Sequence, residues 1–196
     1  MVLAEQETVR VGGRRRLAGA ALLVAVVLGS ASARAGTAGP RMKDEYAVKA
    51  AFLYNFGNFV TWSAGEGEQD EPFVIGIVGE DPFGQFIDQA VRGRKVKGRL
   101  VQIRRVAGTD GLVGCRILFI AGLSSSETAE LLDSLSGWPV LTVGETERFA
   151  QSGGMIGFNV RDRKIRLQIN RAAAERAGLR FSSKLLSLSE LVEETK

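Results

Sequence analysis

The stretch that decides the fold runs Phe73-Val74-Ile75-Gly76-Ile77-Val78-Gly79-Glu80-Asp81-Pro82-Phe83-Gly84, followed by Gln85-Phe86-Ile87-Asp88-Gln89-Ala90. Phe73 to Val78 is apolar at every position, the pattern of a strand buried on both faces. Gly79 to Gly84 is a turn, in which Asp81 suits a helix N-cap and Pro82 the first helical position. A short helix over Gln85–Ala90 follows. A doubly buried strand that feeds a helix is the repeating unit of a parallel sheet.

Working outward, the same alternation continues. Leu100 to Val106 sets Val101 and Ile103 against Gln102 and Arg104, a half-exposed strand. Ile117 to Ile120 is a short apolar strand with Cys115 at its start, and a helix is expected from about Ser126 to Leu135. Val140 to Val143 is a further strand. Met155–Val160 and Ile165–Ile169 form a hairpin around residues 161–164, and Asn170 caps a helix that Gly178 ends. The leucines Leu185, Leu186, Leu188 and Leu191 predict a last helix over Ser182–Val192. Upstream, Phe52, Phe56 and Phe59 lie on one stripe of a helix from Lys43 to Val60, while Tyr54 and Trp62 fall off that stripe and are expected on a partner surface. The expected fold is α/β: a largely parallel sheet flanked by helices, with a C-terminal β-hairpin and helices.

Residues 1–35 read differently. Arg14, Arg15 and Arg16 precede an uncharged apolar run, Leu17 to Leu28, and small residues fit Ala-x-Ala at Ala31-Ser32-Ala33 and again at Ala33-Arg34-Ala35. That is the layout of a cleavable secretory signal, and the run is short for a span of roughly 30 Å. The expected organisation is a signal peptide, 1–35, and one domain, 36–196. The five basic and two acidic residues of 1–35 carry most of the excess charge; without them the chain's +4 falls to +1. A nucleic-acid partner is therefore not expected.

The residues that make and break bonds are scarce. The chain has no histidine and one cysteine, which removes histidine-based triads, His-ligated metals and thiolate clusters. No catalytic residue, metal or cofactor is expected. A phosphate loop would need Lys and Ser or Thr where Gln85 and Phe86 stand. Ser182-Ser183-Lys184 lacks the three-residue offset of a helical serine–lysine dyad. Glu80 and Asp81 sit where α/β sites form, and with Gly84 they are the candidate positions for a small anion or ligand; the same residues also read as a turn and cap.

Several segments together carry a resemblance: Glu45-Tyr46-Ala47-Val48-Lys49-Ala50-Ala51-Phe52-Leu53-Tyr54-Asn55-Phe56 with Phe59-Val60-Thr61-Trp62, then Val78 to Gly84, Gly114 to Ile120, Pro139 to Gly144, Gly153-Gly154-Met155-Ile156-Gly157-Phe158, Asn170, Ala177-Gly178-Leu179 and Ser182-Ser183-Lys184-Leu185-Leu186. In this order, over Glu45 to Leu188, they resemble the YfiR family of periplasmic regulators. The resemblance implies a non-enzymatic protein that binds the periplasmic part of an inner-membrane diguanylate cyclase and holds it inactive, lowering cyclic-di-GMP and biofilm formation. It also implies homodimers and sequestration by an outer-membrane-associated lipoprotein. The motif positions Tyr46, Lys49, Tyr54, Asn55, Trp62, Asn170, Ser182, Ser183 and Lys184 are the corresponding partner-binding candidates. Several relatives carry a cysteine at the position of Gly76 and another matching Cys115; with Gly76 that bridge cannot form. A different reading of the same residues is a periplasmic small-ligand-binding sensory module with its site at Gly79–Gly84.

Overall fold

A computed structural model describes residues 40–63, 70–106 and 110–195; the expected signal peptide lies outside them. Helix α1 (Pro40–Phe59) leads into a short strand, β1 (Val60–Trp62). The central sheet begins with β2 (Phe73–Gly79), then α2 (Gln85–Val91), β3 (Lys95–Val96) and β4 (Arg99–Val106). It continues through β5 (Cys115–Ala121), α3 (Ser125–Ser134), β6 (Leu141–Gly144), β7 (Ile156–Arg161) and β8 (Lys164–Ile169). The chain ends with α4 (Arg171–Arg176), β9 (Leu179–Phe181), α5 (Ser183–Ser187) and β10 (Ser189–Leu191). The eight-stranded order is β10-β8-β7-β6-β5-β2-β4-β3, and β1 pairs with β9 separately.

Strands β4, β2, β5, β6 and β7 run parallel, and the β7–β8 hairpin and the edge strand β3 are antiparallel. The mixed α/β class with a mostly parallel sheet is as expected from the alternation of strands and helices. One face of the sheet carries the main core. Leu53 and Phe56 of α1 and Ile87 of α2 pack there on Ile75, Ile77, Ile117, Phe119 and Phe158. The other face holds a smaller cluster in which Val74, Cys115 and Leu118 meet Leu135 and Val140 beside α3. Ser124 starts α3 with a reciprocal capping box to Glu127.

Three local expectations are corrected, and one hairpin is added. The segment Ser182–Val192 is not one helix: α5 stops at Ser187 and the chain becomes β10, laid parallel on β8. The hydroxyls of Ser187 and Ser189 donate to the carbonyls of Lys184 and Leu185, closing the helix's last turn while β8 offers an open edge. Only Leu185 of the predicted stripe is buried; Leu188 and Leu191 are 69% and 57% exposed. Trp62 is 4% exposed, because the helical wheel ends at Phe59 and the strand's two-residue period turns Thr61 outward and Trp62 inward. Asp81 does not cap α2 and Pro82 is not its first residue: the Asp81 Oδ1 accepts from the amides of Phe83 and Gly84, and the helix starts at Gln85, as expected, with Gly84 at the N-cap. Finally, the β3–β4 hairpin, turned by Lys97 and Gly98 with positive φ, was not anticipated.

Candidate functional site

Helix α1 runs along the sheet so that its first turns reach the carboxyl end of β6. Lys49 falls on the same stripe as Phe52, Leu53 and Phe56, and this places its ammonium inside: the residue is 3% exposed. The stem is buried against the core, so the charge must be paired to be tolerated. Two carboxylates do this. Glu45, one turn back on α1, lies 2.5 Å from Lys49 Nζ, and Glu145, the residue after β6, lies 2.6 Å away. The Tyr46 hydroxyl donates to the other oxygen of Glu145 at 3.1 Å. Lys49 Nζ also sits 4.6 Å from the Tyr46 ring centroid and 5.9 Å from that of Phe158. Burial, then the charge of Glu145, push the Tyr46 phenol well above its ordinary pKa, so it stays protonated as a donor.

This cluster is the floor of a groove of about 600 Å³ between the Glu145–Arg148 loop and the outer half of β7. The sequence analysis places Tyr46 and Lys49 among the candidates but singles out neither Glu145 nor Phe158. A lysine on the apolar stripe of α1 was the available signal, since a cation there demands an acid from elsewhere in the fold.

The other candidates do not join this cluster. The Tyr54 hydroxyl donates to the Lys95 carbonyl at 3.3 Å, and the Arg94 guanidinium lies 5.3 Å from its ring centroid. Asn55 is exposed on α1. Trp62 is inside, edge-on to Phe73 at 5.6 Å. Asn170 is buried; its Oδ1 accepts from the Ala173 amide and its Nδ2 donates to the Ala150 carbonyl, so it fastens α4 to the loop before β7. Ser182 caps α5 by accepting from the Leu185 amide. Ser183 and Lys184 are exposed, with Lys184 Nζ 5.6 Å from the Phe59 ring centroid.

Glu80, Asp81 and Gly84 lie at the carboxyl end of β2, where the strand order reverses between β2 and β5. That crevice is where open parallel sheets bind ligands. Here the chain fills it. A Cβ on Gly122 would come within 2.5 Å of the Glu80 side chain, which covers the end of β5. Asp81 Oδ2 accepts from Arg105 Nε at 2.8 Å, and the same guanidinium donates to Asp88 at 2.8 Å and to the Gly84 carbonyl at 3.1 Å. The amide donors of Phe83 and Gly84 and the Arg105 cation, which an anion site would need, are already taken by Asp81, Asp88 and the Gly84 carbonyl.

Cys115 is buried at the start of β5, with its Sγ 3.8 Å from Arg104 Nη1 and 3.5 Å from the Gly111 carbonyl. Burial raises its thiol pKa, and Arg104 opposes that shift.

The fold and this geometry define a mixed α/β domain with a mostly parallel sheet, a filled switch-point crevice and a paired buried lysine under an open groove. The YfiR/HmsC-like family model matches residues 46–190, and the chain belongs to that family. It is a family of periplasmic regulators in cyclic-di-GMP signalling, regulatory rather than catalytic. Among the described residues no helix is long and apolar enough to cross a membrane.

Proposed function

We propose that the protein is exported by the leader in residues 1–35 and acts through its 36–196 domain by binding the periplasmic part of an inner-membrane diguanylate cyclase and holding it inactive. The observation that carries this reading is the family match over residues 46–190, essentially the whole described domain. The composition supports it: a chain without histidine has few routes to acid–base catalysis at neutral pH. The filled crevice at Glu80, Asp81 and Gly84 weighs against the small-ligand alternative.

Physically, repression is a coupling free energy. A regulator that binds one cyclase state better than the other shifts the population toward it, by no more than its differential affinity. Of the candidate residues, Asn55, Ser183 and Lys184 are exposed, and Tyr46, Tyr54 and Ser182 partly so; these are the ones a partner can reach without unfolding the domain. Trp62 and Asn170 act by holding the scaffold. A homodimer, and capture by an outer-membrane-associated lipoprotein that frees the cyclase, complete the scheme. Deleting the gene and measuring cellular cyclic-di-GMP tests it: a rise is expected, and an unchanged or lower level overturns repression.

A further inference from the structure

The ladder between β6 and β7 holds only Val143↔Ile156 and Gly144↔Gly157. Strand β7 continues to Arg161, so among the described residues its outer half has β8 on one side and no strand on the other. The β7–β8 turn is tight, with Asp162 and Arg163 at φ 50° and 61°, the type I′ geometry of a two-residue hairpin. In such a hairpin the closing pair, here Arg161↔Lys164, is hydrogen-bonded. The antiparallel alternation then turns the N–H and C=O of Val160 away from β8 and into the open slot. Val160 is also 45% exposed. The slot is the groove of about 600 Å³ over Tyr46 and Lys49, so an unpaired strand edge lies along a cleft of matching shape.

The charges around it have one sign to spare. Glu45 and Glu145 are engaged by Lys49, leaving Glu147 as the exposed carboxylate of the groove. Against it stand Arg148 on one wall and Arg161 on the other. The hairpin adds Arg163, Lys164 and Arg166 against Asp162. Among the described residues none of these five cations is in an ion pair. A second copy brought to the same edge would set this basic hairpin against itself.

We propose that the slot beyond the end of β6 is a β-augmentation site that takes an extended, acidic segment of a partner protein. The segment adds a strand beside the outer half of β7, its backbone pairing with Val160. Its carboxylates meet Arg148 and Arg161, and its apolar side chains rest on Val160 and the Tyr46 ring. This rests on the reading of the protein as one that acts by contact, and it names the surface and the chemistry of the contact.

The test uses the purified protein and two synthetic octapeptides, one alternating glutamate and valine and one alternating lysine and valine. Saturable binding of the acidic peptide, with amide NMR shifts centred on Phe158–Arg161 and no binding of the basic one, is expected. Val160→Pro removes the outward N–H while sparing the β8 ladder, and should weaken binding roughly three- to tenfold, the worth of one backbone hydrogen bond. The Arg148→Glu/Arg161→Glu double variant, which does not depend on backbone tolerance, should reverse the peptide preference. Equal binding of both peptides, shifts centred elsewhere, unchanged affinity in both variants, or a Val160→Pro variant that instead dissociates a self-dimer would each overturn the proposal. If cyclic-di-GMP still rises on gene deletion while the peptide fails to bind, the repressor reading stands and this surface alone falls.

Discussion

Restoring a cysteine opposite Cys115 gives the sharpest check on the packing of the second sheet face. A Cβ built on Gly76 lies 3.0 Å from Cys115 Sγ, about the separation that one intervening sulfur imposes in a disulfide. Gly76→Cys should therefore oxidise to a bridge between β2 and β5. The bridge closes a loop of about 40 residues, which in the chain-entropy model stabilises by about 4 kcal/mol. The same Cβ would come within 2.6 Å of Leu118 Cδ2, so Leu118 must move, at a cost of about 1–3 kcal/mol. The net gain over the native protein is about 1–3 kcal/mol. The comparison of oxidised with reduced variant is cleaner, because the overpacking is present in both. For a chain of this length about 4 kcal/mol corresponds to roughly 8–16 °C in Tm. The burial that raises the Cys115 thiol pKa makes its thiolate scarce at neutral pH, so oxidation should be run at alkaline pH. Thermal melts with and without reductant, paired with a thiol count under denaturing conditions, decide the matter. The native protein, with one cysteine, should melt identically in both. Two free thiols after oxidation, or equal melting temperatures for the two forms of the variant, would refute the placement of Gly76 against Cys115.

Three further outcomes follow from named contacts. Lys49→Met leaves Glu45 and Glu145, both partly open to the groove, without their shared cation and should cost about 1–3 kcal/mol in urea unfolding; adding Glu145→Gln should recover part of it, giving a positive coupling in a double-mutant cycle. Because the Tyr46 pKa is raised in the folded state, its contribution to stability is complete below the unfolded tyrosine value of about 10. Above that value the unfolded chain releases a proton that the folded one keeps, so stability falls as pH climbs toward the folded pKa; Tyr46→Phe should flatten this alkaline decline in Tm. Leu185→Ala should cost about 2–5 kcal/mol, whereas Leu188→Ser should stay within about 0.5 kcal/mol; equal losses at both positions would restore a continuous amphipathic helix over Ser182–Val192.

What the sequence disclosed was whatever a local period encodes. Phe73–Val78 and Ile117–Ala121 are apolar on both faces because helices or loops cover both, and that density marks a central parallel strand. Asn170 and Gly178 bracket α4 through capping, which is also local. Periodicity failed where an element ended earlier than its pattern did. Trp62 was assigned by a helical wheel that stopped applying at Val60, and Leu188 and Leu191 by a stripe that Ser187 and Ser189 interrupt. The candidate site was half legible for a different reason. Lys49 and Tyr46 share one helix and can be paired on paper, but Glu145 reaches them across 96 residues of chain. Only the parallel register of β5 with β6 sets that carboxylate over α1, and register is a property of the folded sheet.

The groove exists because β6 is short, and β6 is short because of one aromatic ring. Phe149 is 2% exposed and lies against Gly144 on one side and Gly154 on the other; a Cβ on either glycine would collide with the ring. Wedging Phe149 there bends the chain away from the sheet directly after Gly144, so residues 145–148 form a wall instead of two more rungs on β7. The Phe149 amide donates to the Thr146 carbonyl, the Ser152 amide to the Arg148 carbonyl and the Gly154 amide to the Phe149 carbonyl, so the detour is turned and held by hydrogen bonds of its own. Gly154, in the Gly153-Gly154 pair that reads as a family motif, therefore has a mechanical role: it admits the ring that ends β6. With Glu80 packed against Gly122 at the switch-point crevice between β2 and β5, the opening that α/β sheets normally keep for a ligand has been displaced two strands over, and changed in kind from a pocket for a small molecule to a strand-length slot with a free backbone edge.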